Sequence, residues 1–334
     1  MKKMFALMLL SLVMLVIVVQ QWAGIENITT VVSGMNMFFL GLIILLPFAT
    51  LLVYSTRWRL LLRSVGIEVR LSVVFRFALI GAFINYLTPM VRFGGEPVKG
   101  YMLSNYIAAP KRKIFASVAM DTIITFISVL LVIYYAAFSL SIFNILDWFT
   151  LWLILSVVML PLTLGIYMVY EKRVLNYVTS NVSRIAGKIK RGTLKNLQKD
   201  SLHFRDNLKI SLRRRDILAK SLGLAVFERF LEVLTIYIIF LSLGAKISLQ
   251  ESASVLGVGI MAGSIPLLPG GLVLYESSAI LVLGLLGMPS IHATAGVLIW
   301  RFASYWLIIL AGFIASWLFG IRVKKRRQFF KFGS

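Results

Sequence analysis

The stretch MNMFFLGLIILLPFATLLVYST, Met35 to Thr56, contains no charged residue and as a helix is long enough to cross a hydrocarbon core of ~30 Å. Comparable runs recur at Met4 to Val19, Phe115 to Leu140, Trp148 to Tyr170, Ser221 to Leu243 and Ile291 to Phe319. Over all 334 residues the composition is 59% hydrophobic and the mean hydropathy is +0.90, far more apolar surface than a water-soluble core buries. In hydrocarbon every backbone amide must find a partner within the protein, so such runs are helices; the two-residue alternation of a membrane barrel is missing. The expected fold is an all-α polytopic membrane protein, one transmembrane domain over residues 1–334, with six full spans.

Composition also narrows the chemistry. There is no cysteine, which excludes disulfides, thiolate catalysis and cysteine metal sites. His203 and His292 are the two histidines and stand far apart, so no metal site is expected. No Walker-type loop is present, and neither a nucleotide nor any other cofactor is expected. The net charge of +22 lies between and beside the hydrophobic runs and not on a separate module, which indicates a membrane surface and not nucleic acid. Lys2 and Lys3 before an apolar run resemble a signal peptide, but no small-x-small pattern precedes Trp22, which favours a retained first span.

Basic residues near span ends prefer the cytoplasm. Lys2 and Lys3, then Arg57, Arg59, Arg63 and Arg70, then Lys111, Arg112 and Lys113 are assigned inside, as are the loop 171–220, with Arg213, Arg214 and Arg215, and the tail with Arg322, Lys324, Lys325, Arg326 and Arg327. The segments around Glu26, Asn144 and Lys246 are poor in basic residues and are assigned outside. Both termini are therefore expected in the cytoplasm of a cell-membrane protein. The loop 171–220 places Leu194, Leu197 and Leu202 among polar residues and reads as an amphipathic helix on anionic lipid headgroups, where each Lys or Arg contributes ~1 kcal/mol, or as a topological anchor alone.

Two hydrophobic stretches, 71–110 and 251–289, are broken in the middle. The first reads Asn85-Tyr86-Leu87-Thr88-Pro89 and then Gly94-Gly95-Glu96-Pro97; the second reads Ser264-Ile265-Pro266-Leu267-Leu268-Pro269-Gly270-Gly271 and then Glu276. In each, Pro precedes a Gly pair and a Glu follows. One stretch enters and returns from the cytoplasm and the other from outside, the relationship of inverted repeats with a substrate site near the midplane. Helices halted by Pro and Gly leave backbone groups that lipid cannot satisfy. Helices restarting after Gly95 and Gly271 would aim amides and a positive dipole end at an anion such as phosphate. The alternative is two Pro-kinked spans whose glycines serve close helix packing.

A charge at a helix centre costs ~3 kcal/mol and needs a partner or water. Arg76, Arg92, Glu96 and Lys99 cluster about the first break; Glu276 and Arg301 lie beside or behind the second. Asp121 stands in the following span, close enough to Lys111 to sit at interface depth. Glu228 and Glu232 are spaced i, i+4 and, with Arg229, form either a structural ion cluster near the interface or part of a site. The candidate substrate-binding residues are Asn85, Pro89, Arg92, Gly94, Gly95, Glu96, Pro269, Gly270, Gly271, Glu276 and Arg301, with Lys99, Asp121, Glu228, Arg229 and Glu232 as secondary candidates.

The pairing of Asn85-x-x-x-Pro89 and Gly94-Gly95-Glu96 with Pro266-x-x-Pro269-Gly270-Gly271 and Glu276 resembles the flippase-like, lysylphosphatidylglycerol synthase transmembrane family, also called the UPF0104 family. The resemblance covers nearly the whole chain. It implies similarity to the lipid-translocating half of bacterial multiple peptide resistance factors, which moves an aminoacylated phospholipid between leaflets; other members occur in archaea near enzymes of polyprenyl-linked glycan assembly. The soluble aminoacyl-transferase domain of the bifunctional synthases is not expected here, nor is an N-terminal glycosyltransferase domain. In the second motif the family often has a further Gly where Leu272-Val273-Leu274 stands.

The resulting expectation is a flippase or transporter for an anionic phospholipid or a polyprenyl-phosphate-linked lipid, with Arg92, Arg301 and the amides after Gly95 and Gly271 on the phosphate. Glu96 and Glu276 would hold the basic groups, or bind a cationic aminoacyl moiety or a coupling proton. A rival reading is an intramembrane transferase or hydrolase of lipid phosphates with Glu96 or Glu276 as general acid/base. A third is a non-catalytic scaffold in envelope glycan or lipid assembly.

Overall fold

A computed structural model describes residue 20 and residues 30–88, 94–142, 214–265 and 269–331, with side chains as far as residue 320. The described residues form helices joined by short turns, in the order α1 (Leu40–Ser64), α2 (Leu71–Leu87), α3 (Gly95–Tyr106), α4 (Lys111–Ile142), α5 (Arg215–Ser242), α6 (Leu249–Gly263), α7 (Leu274–Leu285), α8 (Ser290–Arg301) and α9 (Leu307–Lys331). A π-helical segment, Phe302–Trp306, joins α8 to α9, so that the two run on as one helix. The expected spans at Met4 to Val19 and Trp148 to Tyr170, most of the loop 171–220, and Pro89, Arg92 and Pro266 lie outside the described residues.

Three helices among the described residues are long and apolar enough to cross a bilayer: Met37–Ser64, Lys111–Ile142 and Ser290–Gly320. The stretch expected to span from Met35 to Thr56 continues as helix to Ser64, and Arg57, Arg59 and Arg63 lie on the last turns of α1. By contrast α2 and α3, with 17 and 12 residues, extend only ~26 Å and ~18 Å, less than the hydrocarbon core. The 15 residues of α6 and 12 of α7 give ~23 Å and ~18 Å. Both broken stretches are thus pairs of half-length helices flanked by long ones. Glu251 at the start of α6 completes a capping box with Ser248: the Glu251 amide donates to the Ser248 hydroxyl at 3.1 Å and the Ser248 amide to the Glu251 carboxylate at 2.6 Å.

The order long, half, half, long therefore occurs twice, and the packing follows it. Helix α1 lies along α5 at the centre; α2 packs on α9, and its counterpart α6 packs on α4. Each unit's first half-helix thus rests on the closing long helix of the other. One apolar core, with Trp58, Val74, Phe77, Leu103 and Ile114, joins α1 to α4; another, with Ile239, Val255, Ile280 and Ala293, joins α5 to α8. Leu51, Ala78, Leu79 and Ile308 fill the seam between them.

The distribution of polarity is that of a protein in lipid. Arg57, Lys99 and Glu276 are wholly buried, whereas Leu45, Leu310 and Trp317 are 63%, 59% and 60% exposed. Charges held inside with large apolar side chains facing outward is the arrangement hydrocarbon selects. The chain is a multi-pass helical membrane protein.

Candidate functional site

The first break is set by glycine packing. Gly95 opens α3 against α2 so closely that a β-carbon there would lie 1.9 Å from the Gly81 carbonyl oxygen. The amide of Gly95 donates to Asn85 Oδ1 at 2.7 Å. Asn85 therefore caps the restarted helix, and this amide is engaged by the protein itself. Gly94 sits beside Thr88, whose hydroxyl would be 2.6 Å from an added β-carbon.

The second break is built differently. Pro269–Gly271 form a 3-10 turn in which Gly270 and Gly271 have φ of 61° and 67°. A β-carbon at Gly271 would lie 2.5 Å from the Gly263 carbonyl oxygen, and one at Gly270 would lie 2.2 Å from the Tyr305 ring. Val273, within the stretch where the resemblance implies a further glycine, holds φ of 72°. A β-branched residue in the left-handed region is strained, a feature concentrated at functional sites. The Gly270 carbonyl, orphaned by the break, accepts from Arg301 Nη2 at 3.0 Å. Close packing, one of the two readings of these glycines, is seen at Gly95 and Gly271, while the Gly270 carbonyl is met by a buried cation.

Each break is followed by a glutamate in the first turn of the new helix, and each glutamate holds a cation resting on aromatic rings. Glu276 Oε1 is 2.5 Å from Arg301 Nε, with side-chain exposures of 0% and 7%; the guanidinium lies 4.9 Å from the Tyr275 ring centre and 4.5 Å from that of Tyr305. Glu96 Oε2 is 2.5 Å from Lys99 Nζ, which lies 4.6 Å from the Tyr54 ring centre and 4.4 Å from that of Trp58. Acid in the first turn also complements the positive helix end.

From Lys99 the charges continue inward. Lys99 reaches Asp121 Oδ2 at 3.0 Å and Arg57 Nε is 3.1 Å from Asp121 Oδ1. Arg57 Nη2 donates to Thr125 at 2.6 Å and lies 3.5 Å from Glu228 Oε2. Arg229 closes the chain, 2.5 Å from Glu228 and 2.6 Å from Glu232. Tyr54 bonds to both ends of the first pair, donating to Glu96 at 3.1 Å and accepting from Lys99. Asp121 is 1% exposed and fully embedded in this network.

The breaks converge on a cavity of about 230 Å³ between the two units. Asn85, Glu96, Gly270, Arg301, Glu228, Arg229 and Glu232 all line it, together with Tyr54, Tyr86, Tyr275 and Trp300. The Glu228, Arg229 and Glu232 cluster is thus part of the candidate site. Lys99, Asp121 and Glu276 stand behind the lining and hold it; Gly94, Gly95 and Gly271 shape it without facing it, and Pro269 begins the turn beside it. Tyr86 and Tyr305 tie the first break to the π segment: the Tyr86 hydroxyl donates to the Ser304 carbonyl at 3.2 Å and the Tyr305 hydroxyl to the Tyr86 carbonyl at 3.1 Å. A π turn inside a long helix is frequent at functional sites, and here it carries Tyr305 to both breaks. Among the described residues no group of three or more His, Asp and Glu is arranged to hold a metal ion.

Sequence reasoning missed Tyr54, Arg57, Thr125, Tyr86, Tyr275 and Tyr305. For Arg57 a signal existed: Asp121, a lone acid in an apolar span, requires a cation, and Arg57 directly follows an uncharged run. The tyrosines carry no mark in the sequence that separates them from interface aromatics.

Comparison with known proteins agrees with this architecture. Residues 5–312 match the family model for the lysylphosphatidylglycerol synthase TM region. A UPF0104 membrane protein of Methanothermobacter thermautotrophicus is 30% identical over 291 residues, covering 85% of this chain and 86% of the relative. UPF0104 membrane protein PH1989 of Pyrococcus horikoshii is 26% identical over 331 residues, 95% of each chain. UPF0104 membrane protein MJ1595 of Methanocaldococcus jannaschii is 24% identical over 323 residues, 93% of this chain and 94% of that one.

Proposed function

The chain belongs to the lysylphosphatidylglycerol synthase TM region family, and on that premise we propose that it is a lipid flippase, moving an anionic phospholipid or a polyprenyl-phosphate-linked lipid between leaflets. The observation that carries this reading is the cavity at which both breaks meet, buried between helices of membrane length and walled by charge and apolar surface together. At about 230 Å³ it is of headgroup size and leaves the lipid tails to the bilayer. Arg301 and Arg229 face it as donors for phosphate, Arg301 held in place by Glu276 and the Gly270 carbonyl. Arg92, in the first break, is assigned the same role from its position in the sequence. Glu96 and Glu232 accept the ammonium of an aminoacylated headgroup where one is present.

The doubled helix order and the reciprocal packing of α2 on α9 and α6 on α4 support an inverted-repeat arrangement. Rocking one unit against the other then opens the cavity to either leaflet in turn, with no bond of the lipid changed. The distribution of basic residues along the sequence supports an orientation with both termini in the cytoplasm.

The transferase or hydrolase reading is weakened by burial. Glu276 is 0% exposed and bound to Arg301, a poor position for a general base. The test is a proteoliposome assay with NBD-labelled phosphatidylglycerol and polyprenyl phosphate, reading dithionite-accessible lipid with wild type, Arg301→Ala and Arg229→Ala. Faster exchange by wild type, lost in both variants and with the lipid recovered intact, is expected. Exchange no faster than in protein-free vesicles overturns the proposal, and a covalently altered lipid establishes the enzyme instead.

A further inference from the structure

Hydroxyl groups line the central cavity as well as charges, and the protein's own hydrogen bonds fix their polarity. A serine or threonine hydroxyl has one proton to donate and lone pairs with which to accept. Thr50 donates to the Leu46 carbonyl at 2.9 Å, Thr235 to that of Leu231 at 2.6 Å, Ser264 to that of Ile260 at 2.6 Å and Ser304 to that of Trp300 at 2.7 Å. Two tyrosines of the same wall do likewise, Tyr54 donating to Glu96 and Tyr86 to the Ser304 carbonyl. With the proton engaged inside the protein, each of these oxygens meets a ligand as an acceptor. Bonding back to the i−4 carbonyl is common for hydroxyls in helices. Here α1, α5, the end of α6 and the π segment each bring such a group to one cavity.

An acceptor wall suits a donor and disfavours a phosphate oxygen, because an acceptor buried against an acceptor leaves both unpaired. The two kinds of surface are interleaved: Ser304 lies three residues beyond Arg301 and Thr235 three beyond Glu232, and all four line the cavity. A phosphate seated on Arg301 would therefore have hydroxyl oxygens beside it. Tyr86, Tyr275 and Trp300 line the same space, in keeping with small-molecule sites in which aromatic walls carry a few placed polar groups. A headgroup hydroxyl needs no counter-charge. An ammonium has to be matched by Glu96 and Glu232, which Lys99 and Arg229 already hold.

We infer that the cavity selects lipids whose headgroup carries hydroxyl donors next to the phosphate, as a glycerol or sugar unit does, and that Thr235 and Ser304 determine this specificity. The inference deepens the flippase reading and rests on it for movement; binding rests on the cavity alone. The headgroup hydroxyls donate to Thr235 Oγ1 and Ser304 Oγ while the phosphate takes Arg301. A phosphate with no hydroxyl beside it, whether an alkyl phosphodiester or a bare polyprenyl phosphate, desolvates the same oxygens and leaves them without a donor. Sites built to pair a ligand hydroxyl reject the analogue lacking it on this ground.

The experiment is a competition read by native mass spectrometry. The full chain in mild detergent is offered equal amounts of phosphatidylglycerol, phosphatidylethanol and phosphatidylethanolamine with identical acyl chains. Phosphatidylethanol keeps the single negative charge but has no headgroup hydroxyl. Wild type is expected to retain phosphatidylglycerol about tenfold over either competitor. Thr235→Val and Ser304→Ala each lower that ratio about threefold, and Thr235→Ser restores it. Each ratio is measured within one sample, so a poor yield of folded variant does not alter it, and Ser304→Ala decides if Thr235→Val gives no protein. Equal retention of phosphatidylglycerol and phosphatidylethanol, or a ratio unchanged in both variants, overturns the inference. Preferential retention of phosphatidylethanolamine assigns the wall to an ammonium and overturns it as well. In proteoliposomes, acyl-chain NBD forms of phosphatidylglycerol and phosphatidylethanol are expected to exchange in the same order. A binding preference without lipid movement upholds the hydroxyl site and overturns the flippase reading; movement of both lipids at equal rates upholds the flippase reading and overturns the selectivity.

Discussion

Replacing Glu276 and Arg301 by methionine, singly and together, tests whether the second break is held by a buried ion pair. Glu276 is wholly buried, Arg301 is 7% exposed and the pair is 2.5 Å long, so either single substitution leaves one poorly compensated charge inside the protein. Breaking such a pair from one side costs about 3–5 kcal/mol. The double variant leaves no buried charge; what it loses is the bond from Arg301 to the Gly270 carbonyl, about 1–3 kcal/mol for an orphaned acceptor. The double variant is therefore expected to be at least as stable as either single one, with a coupling energy of at least about 3 kcal/mol. Reversible unfolding of the four proteins by SDS in mixed micelles, followed by circular dichroism, measures it. Additive losses would refute the argument, since they require that neither charge depends on the other.

Gly95→Ala places a methyl group 1.9 Å from the Gly81 carbonyl oxygen and must push α3 off α2; a loss of about 3 kcal/mol is expected in the same SDS titration, while Gly223→Ala, with open space around it, stays within ~0.5 kcal/mol. Val273→Gly relieves a left-handed β-branched residue and is expected to raise stability by about 1 kcal/mol, seen as a higher Tm in detergent; a lower Tm would mean that the Val273 side chain outweighs its backbone strain. Tyr305→Phe removes the hydrogen bond to the Tyr86 carbonyl across the two units but leaves the ring on Arg301, so about 1 kcal/mol is lost while NBD-lipid exchange still depends on Arg301.

The helices and the breaks were legible because they follow from one-dimensional rules. A charge-free run such as Met35–Thr56 has few alternatives in lipid, and Pro and Gly interrupt a helix wherever they cluster. The end of α1 was not legible for an instructive reason: Arg57 reads as a basic residue that follows the span on the cytoplasmic side, yet it is held at zero exposure by Asp121 and Glu228, which lie far along the chain. A basic residue at the margin of a span satisfies the orientation rule and an internal ion pair equally well, and only the third dimension separates them. The same holds for Glu228 and Glu232, whose i, i+4 spacing gives a shared face without saying what that face meets.

The capping of Gly95 by Asn85 occupies one backbone amide of the first break. Restarting helices are expected to offer the amides after Gly95 and Gly271; the Gly95 amide itself is taken by Asn85, and the Gly270 carbonyl is bound to Arg301. What faces the cavity is a set of guanidinium and carboxylate groups fixed by one another. Backbone amides bind any anion of the right size at fixed charge, whereas paired side chains change their net charge with a single proton. The glycine pairs are the close-packed points beside which Glu96 and Arg301 come to the same cavity from opposite units.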